Sequence, residues 1–276
     1  MKITTLTIDG KDDNSVELPI VFDTPIRYKL IHNAFVNLNS HKFQRQGRHP
    51  TAGQDVVADS NDPPTGRGIS RVARMKGGGG GRQGQAGEVA STRGGRQAFP
   101  PNVKKVIYKK LNKKENKLAL CSAIAATAVK DIVKSNGHMI DNVKEFPIIV
   151  SDEIENITKT AEMKKIIKSL NLIDDVKRLE KRKPRTGKVS LRGRKSKVGK
   201  SILFVVSNST KIENACSAIP GVDARSVNDL SVLDLAPGSK PVRLTVYSKK
   251  AVDEISKIKS RHLELMVTRK WMLNKL

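Results

Sequence analysis

Aromatic residues are scarce in this chain, at 4% of 276 residues, too few for the stacked platform on which single-strand binders hold nucleic acid. Cysteine occurs only as Cys121 and Cys216, far apart and in no CxxC pair, so two buried free thiols are expected and no structural zinc. His32, His41, His49, His138 and His262 show no metal-ligand spacing. No run of eighteen apolar residues is present, and the opening MKITTLTIDG alternates instead of passing from a basic to an apolar segment. These absences argue against a spanning helix and a signal segment, and the expectation is an intracellular protein without membrane contact, metal or cofactor.

Acidic residues are also short. Lys and Arg number 52 against 27 Asp and Glu, a formal charge of +25. Such an excess opposes compaction by self-repulsion and makes sense chiefly beside a polyanion. Nucleic acid is the first suspect and an anionic membrane the second. With so few aromatics, binding has to rest on charge and shape.

The chain divides by pattern. MKITTLTIDG and SVELPIVF read as two short strands joined by a polar turn. Asp23 or Thr24 caps a helix expected from about Pro25 to Asn39, with an apolar stripe at Ile26, Leu30, Ile31, Ala34, Phe35 and Leu38. From Gln44 to about Pro101 periodicity vanishes: the only aromatic is Phe99, and 11 of the 20 glycines fall between Gly66 and Gly95. A structureless stretch of this length inside a compact domain reads as an extension that orders on a partner. Structure returns at KKENKLALCSAIAATAVKDIVKSNG, a small-residue helix ending near Gly137. FPIIVS, SILFVVS, VDARSV and VRLTVYS then alternate as strands with helices at TKTAEMKKIIKSL, DDVKRLEK, STKIENACSAIPG and NDLSVLDLAPG, and a helical tail starts at Lys249.

This alternation predicts an α/β fold with Rossmann-like layering, a mainly parallel sheet of about four strands flanked by helices, carrying a long irregular internal extension. The expected organisation is an N-terminal part of the globular domain over 1–43, a Gly/Arg-rich extension over 44–101, and the α/β domain over 102–276 with a basic insertion at 177–200.

Two apparent nucleotide motifs fail on context. GRKSKVGKS, Gly193 to Ser201, has five residues before its Gly-Lys pair where a phosphate-cradling loop needs four, and a strand follows it where a helix should. Gly79, Gly81 and Gly84 satisfy GxGxxG, but no buried strand precedes them, no helix follows, and no acid stands about 20 residues on for a ribose. Asp152, Glu153, Glu155, Asp174 and Asp175 sit in predicted helices, where solvated faces or first-turn charge account for them, and no catalytic constellation emerges.

The basic segments carry more. Residues 177–200 hold twelve Lys or Arg against one acid, Glu180. One basic run is usually a solvated face, but two in one chain, one too glycine-rich for a helix, point to RNA. Arginine forks bind phosphate bidentately, and glycine lets backbone amides approach a sugar-phosphate chain. The candidate RNA-binding cations are Arg45, Arg48, Arg67, Arg71, Arg74, Lys76, Arg82, Arg93 and Arg96 in the extension. In the insertion they are Lys181, Arg182, Lys183, Arg185, Lys188, Arg192, Arg194, Lys195, Lys197 and Lys200.

The blocks TGRGISRVARMKGGGGGRQGQAGEVASTRGGRQAFPP, ALCSAIAATAV, KSNGH, GKVSLRGRKSKVGKS and IPGVDARSVNDLSVLDLAPG, in this order, closely resemble the universal large-subunit ribosomal protein L-four family in its archaeal and eukaryotic form. The resemblance covers nearly the whole chain. It implies a structural, non-enzymatic constituent of the large ribosomal subunit, cytoplasmic, with a globular domain at the subunit surface and an extension threaded through large-subunit ribosomal RNA of the 23S type. It further implies early binding in subunit assembly and an extension tip lining the nascent-polypeptide exit tunnel beside a second constriction protein. Carried over, Gly66, Arg67, Gly68, Arg71 and Arg74 form that tip. Arg82, Arg93 and Arg96, with Gly77 to Gly81, Gly94 and Gly95, lie along RNA-buried stems. Neighbouring ribosomal proteins and the nascent polypeptide are the other implied partners. Two competing readings remain open at this point: a free RNA-binding regulator acting on messenger RNA, and a nucleotide-dependent enzyme built on the sheet.

Overall fold

A computed structural model describes residues 2–55, 58–76, 81–180, 183–240 and 243–258. By its internal contacts the chain forms two units, Met1–Asn39 with Lys110–Leu276, and Ser40–Lys109. Lys181, Arg182, Gly77 to Gly80 and the tail from 259 onward lie outside the described residues.

In the first unit, β1 (Lys2–Leu6) and β2 (Asp12–Glu17) form an antiparallel hairpin with Ile3 opposite Val16 and Thr4 opposite Ser15. The second expected strand, over SVELPIVF, starts and ends earlier than its apolar residues suggest. Pro19, which has no N–H for a ladder, caps a 3-10 turn at Ile20–Asp23 that buries Val21 and Phe22 instead. Helix α1 (Tyr28–Ser40) starts three residues after Pro25. Arg27 N–H is taken by Ser122 Oγ at 2.7 Å while Arg27 C=O accepts from Ile31 N–H, which makes Arg27 the first capping position.

The second unit contains β3 (Ala58–Asp59) and β4 (Arg74–Met75). Back in the first unit, the expected single helix is two, α2 (Lys113–Thr127) and α3 (Lys130–Ser135), separated by an extended Val129. Thr127 Oγ1 donates to Ile124 O, so its contact with Tyr247 OH at 2.8 Å is donated by the tyrosine. This pairing fastens the end of α2 to the sheet. The small side chains of α2 from Cys121 to Ala126 are buried on every side, which lets the helix pack closely.

Then come β5 (Ile148–Val150), α4 (Thr160–Ser169), α5 (Ile173–Glu180), β6 (Lys183–Pro184), α6 (Lys188–Leu191), β7 (Ser196–Lys197), β8 (Leu203–Val206), α7 (Thr210–Ser217), β9 (Asp223–Ser226), α8 (Val232–Leu235), β10 (Thr245–Ser248) and α9 (Lys249–Ile255). The main sheet has six strands in the order β2-β1-β5-β10-β8-β9. All neighbours from β1 to β9 pair in parallel, and only the edge strand β2 runs antiparallel. The four strands expected from the alternating pattern are its inner and far-edge members; the N-terminal hairpin supplies the other two.

Both faces of the sheet are covered, as uninterrupted apolar strands require. Ile148, Val150, Phe204, Val206 and Val246 face one core with Met163, Ile166, Ile212 and Cys216. Ile149, Leu203, Val205 and Tyr247 face the other with Ile31, Ile124, Leu235 and Val252. Phe22 meets Tyr247 edge-on at 5.7 Å in the second core. Helix α8 has the capping box expected of a polar residue before an apolar run: Ser231 and Asp234 exchange bonds between side chain and backbone.

Cys121 and Cys216 are buried and in no disulfide. Burial, with the charges of Asp223 and Glu213, pushes the Cys216 thiol up to about 12, so it stays protonated and inert at neutral pH. No described helix is long and apolar enough to cross a membrane.

Candidate nucleic-acid interface

The extension, Ser40–Lys109, is built almost without a core. Among its described residues Pro63 and Ala73 are the buried apolar side chains. Its order comes from backbone pairing and from its own cations. β3 pairs antiparallel with β4, Ala58 opposite Met75 and Asp59 opposite Arg74, and Arg74 bridges on its other side to Ala86. Beyond that ladder, Ser60 Oγ donates to Arg71 O at 2.7 Å and Arg71 Nε to Pro63 O at 3.0 Å, closing the loop below its apex.

The apex holds Gly66, Arg67 and Gly68. Both glycines have left-handed backbones, φ +96° and +65°, a region that side chains rarely adopt, and Arg67 between them is exposed.

Several candidate cations serve the extension itself. Arg48 donates to Gln97 Oε1 at 2.8 Å and to Ala52 O, Arg74 donates to Gly84 O, and Lys76 pairs with Asp59 at 2.6 Å. Arg45 lies 5.8 Å over the ring of Tyr108. Arg82, Arg93 and Arg96 are exposed. Two strands of chain approach closely where Gly53 meets the backbone of Arg96; a Cβ at Gly53 would stand 2.7 Å from Arg96 Cα. Glycine there serves the extension's internal packing.

The insertion is an arm. β6 pairs antiparallel with β7, Arg185 N–H donates to Lys195 O at 2.8 Å, and α6 is a single helical turn between them. Lys188, Arg192, Arg194, Lys195 and Lys197 are exposed and Arg185 is half-buried. Lys181 and Arg182 lie outside the described residues, and of Lys183 only the backbone is described. Lys200 belongs to the arm's root, where its Nζ pairs with Asp223 at 2.7 Å.

That root holds a buried polar cluster that sequence patterns do not reveal. Asp175, expected to be a solvated or first-turn charge, is fully buried. Its carboxylate accepts from His138 Nδ1 at 3.1 Å, Met139 N–H at 3.0 Å, Arg178 Nε at 3.1 Å and the Ser201 hydroxyl. Leu244 N–H donates to His138 Nε2, so the ring carries its proton on Nδ1, aimed at the carboxylate. Burial acts to raise the Asp175 pKa, but the bonds from His138, Ser201 and Arg178 outweigh it and hold the group well below the usual carboxylate range.

Arg178 also donates to Lys200 O at 3.3 Å, so the two ends of the arm are tied to each other. Beside them Arg243, 1% exposed, donates to Ser201 O, Ile202 O and Gly221 O and pairs with Asp223 at 2.7 Å. A buried guanidinium inside what reads as an apolar strand is tolerable only with partners of this kind.

Sequence patterning also missed a third basic stretch. From Val89 to Lys114 there is no Asp or Glu, while Arg93, Arg96, Lys104, Lys105, Lys109 and Lys110 all occur, and these six are exposed. The absence of acids over that length was the signal available.

Comparison with known proteins gives concordant results. The ribosomal protein L4/L1 family matches residues 16–258. The large ribosomal subunit protein uL4 of Sulfurisphaera tokodaii is 41% identical over 252 residues, 91% of this chain and 92% of that protein. The uL4 proteins of Methanococcus aeolicus and Methanosphaera stadtmanae are 40% and 37% identical, covering 93% and 92% of this chain and 99% and 96% of their own.

Proposed function

Because the chain belongs to the ribosomal protein L4/L1 family in its archaeal form, and so is a structural, non-enzymatic constituent of the large ribosomal subunit in the cytoplasm, we propose that its extension and arm bind large-subunit ribosomal RNA. The observation that carries this reading is the extension: a long, cationic segment with two buried apolar side chains, Pro63 and Ala73, among its described residues. Such a segment gains too little from its own burial to offset the entropy of ordering. Folded RNA supplies the missing terms, neutralising charge and packing closely against glycine-rich backbone.

On this reading 44–101 is the RNA-ordered extension, and the globular unit around the six-stranded sheet folds without it. The apex at Gly66, Arg67 and Gly68, with Arg71 and Arg74 behind it, reaches the exit tunnel beside a second ribosomal protein and meets the nascent polypeptide. Threading of such an extension through folding RNA calls for binding early in subunit assembly.

The test is sedimentation of a tagged chain through sucrose gradients in low and high salt. Co-migration with the large subunit that survives high salt is the expected result. Release into the light fractions would leave only peripheral attachment and favour a regulator that acts on messenger RNA. A variant lacking Thr65 to Arg96 should keep a single cooperative melting transition yet lose salt-resistant co-migration. Loss of that transition would show that the globular unit depends on the extension.

A further inference from the structure

Phe99 is 92% exposed, in a cationic stretch that holds no Asp or Glu from Val89 to Lys114. An isolated exposed apolar side chain is ordinary, but contacts that the extension makes with itself flank this one on both sides. Two residues before it, Gln97 accepts from Arg48, and one residue further back Arg96 lies against Gly53. After it come Pro100 and Pro101, which restrict φ, then a turn in which Asn102 accepts from Lys104 N–H and Lys105 N–H. Val103 packs directly on Gly47. The segment therefore meets residues 47–53 at 96–97 and again at 103, and the ring between these points is left outside.

We propose that Phe99 is a base-stacking site, on which one unpaired base of a bound RNA rests. This rests on the RNA-binding reading above and adds the nucleotide subsite. The flat face of a phenylalanine suits any base, and stacking on an aromatic ring is a main way in which proteins hold unpaired RNA bases. The surroundings favour RNA over a protein partner. Arg93, Arg96, Lys104 and Lys105 are exposed near Phe99 in the chain, and no acid occurs from Val89 to Lys114. A polymer that presents flat apolar faces at regular intervals along a phosphate chain matches both features.

The test uses the full chain and two probes with the same number of nucleotides and so the same charge, an unstructured adenine-rich oligoribonucleotide and a fully paired RNA duplex. The wild type should prefer the single strand, and Phe99→Ala should weaken that binding roughly tenfold or more while leaving duplex binding and the salt slope unchanged, because no charge is removed. Phe99→Leu, which keeps apolar bulk but no ring face, should stay weak. Phe99→Trp, in a chain whose single tryptophan Trp271 has been replaced by phenylalanine, should bind like the wild type and lose fluorescence as the single strand is added. The proposal is overturned if Phe99→Ala binds single strand within about twofold of wild type, if leucine restores binding fully, or if the tryptophan variant binds without quenching. Should the wild type bind neither probe, the RNA-binding reading itself fails, an outcome distinct from any difference among the Phe99 variants.

Discussion

Asp175→Ala is expected to lose about 3 to 5 kcal/mol of stability against urea, the range for removing one partner of a buried ion pair. The carboxylate is fully buried and is the common acceptor for His138, Met139 N–H, Arg178 and Ser201. Without it the buried His138 and Ser201 lose their acceptor, and Arg178, whose side chain is 29% exposed, keeps Lys200 O but loses its counter-charge. Asp175→Asn, which keeps the shape, should cost less. A midpoint that falls with an unchanged denaturant slope would show that the folded state alone is affected; a loss under about 1 kcal/mol would refute the account of the cluster as the arm's anchor.

The pH dependence follows from the direction of the shift. The folded pKa of Asp175 is depressed, so its contribution is fully present above the unfolded value of about 3.9 and is lost as pH falls through the folded value. Stability should begin to drop on acidification toward pH of about 4 and go on dropping below it. In Asp175→Asn that part of the acid sensitivity should disappear.

The second large effect concerns the arm. Replacing Lys188, Arg192, Arg194, Lys195 and Lys197 with glutamine should leave folding intact, since all five are exposed and the arm's root is held by Asp175, Arg178 and Arg243. RNA affinity should fall steeply. If each cation meets one phosphate, the slope of log affinity against log salt should become shallower by about 3.5 to 4.5. An unchanged slope would place the arm away from RNA. A shallower slope with an unchanged melting point would separate the arm's binding role from the fold.

Much of the architecture could be read from the chain. Continuous runs such as ILFVV and TVY are legible because parallel strands buried on both faces have no polar side to show. The extension was legible because five successive glycines and repeated arginines cannot make a core. Other parts resisted. SVELPIVF reads as one strand, yet Pro19 interrupts it, and Val21 and Phe22 found burial in a short turn against Tyr247. The long alanine-rich run reads as one helix, but Thr127 and Tyr247, 120 residues apart, fasten its end.

What the sequence determined by itself is therefore what depends on short-range pattern and composition. Apolar periodicity sets the alternating α/β order, and charge excess and glycine content mark the proposed RNA-binding extension, because each is a property of neighbouring residues. The tertiary structure decided everything that needs distant residues to meet. Asp175 and His138 stand 37 residues apart and Arg243 lies 42 from Ser201, so neither the buried anchor of the arm nor the charge inside the sheet has a local signature. Phe99 likewise looks like any apolar residue in the chain, and only the folded extension, whose contacts with itself flank it on both sides, shows that its ring is left exposed to solvent. Burial and exposure are properties of the whole arrangement, and for these residues they decide whether a side chain anchors the fold or meets a partner.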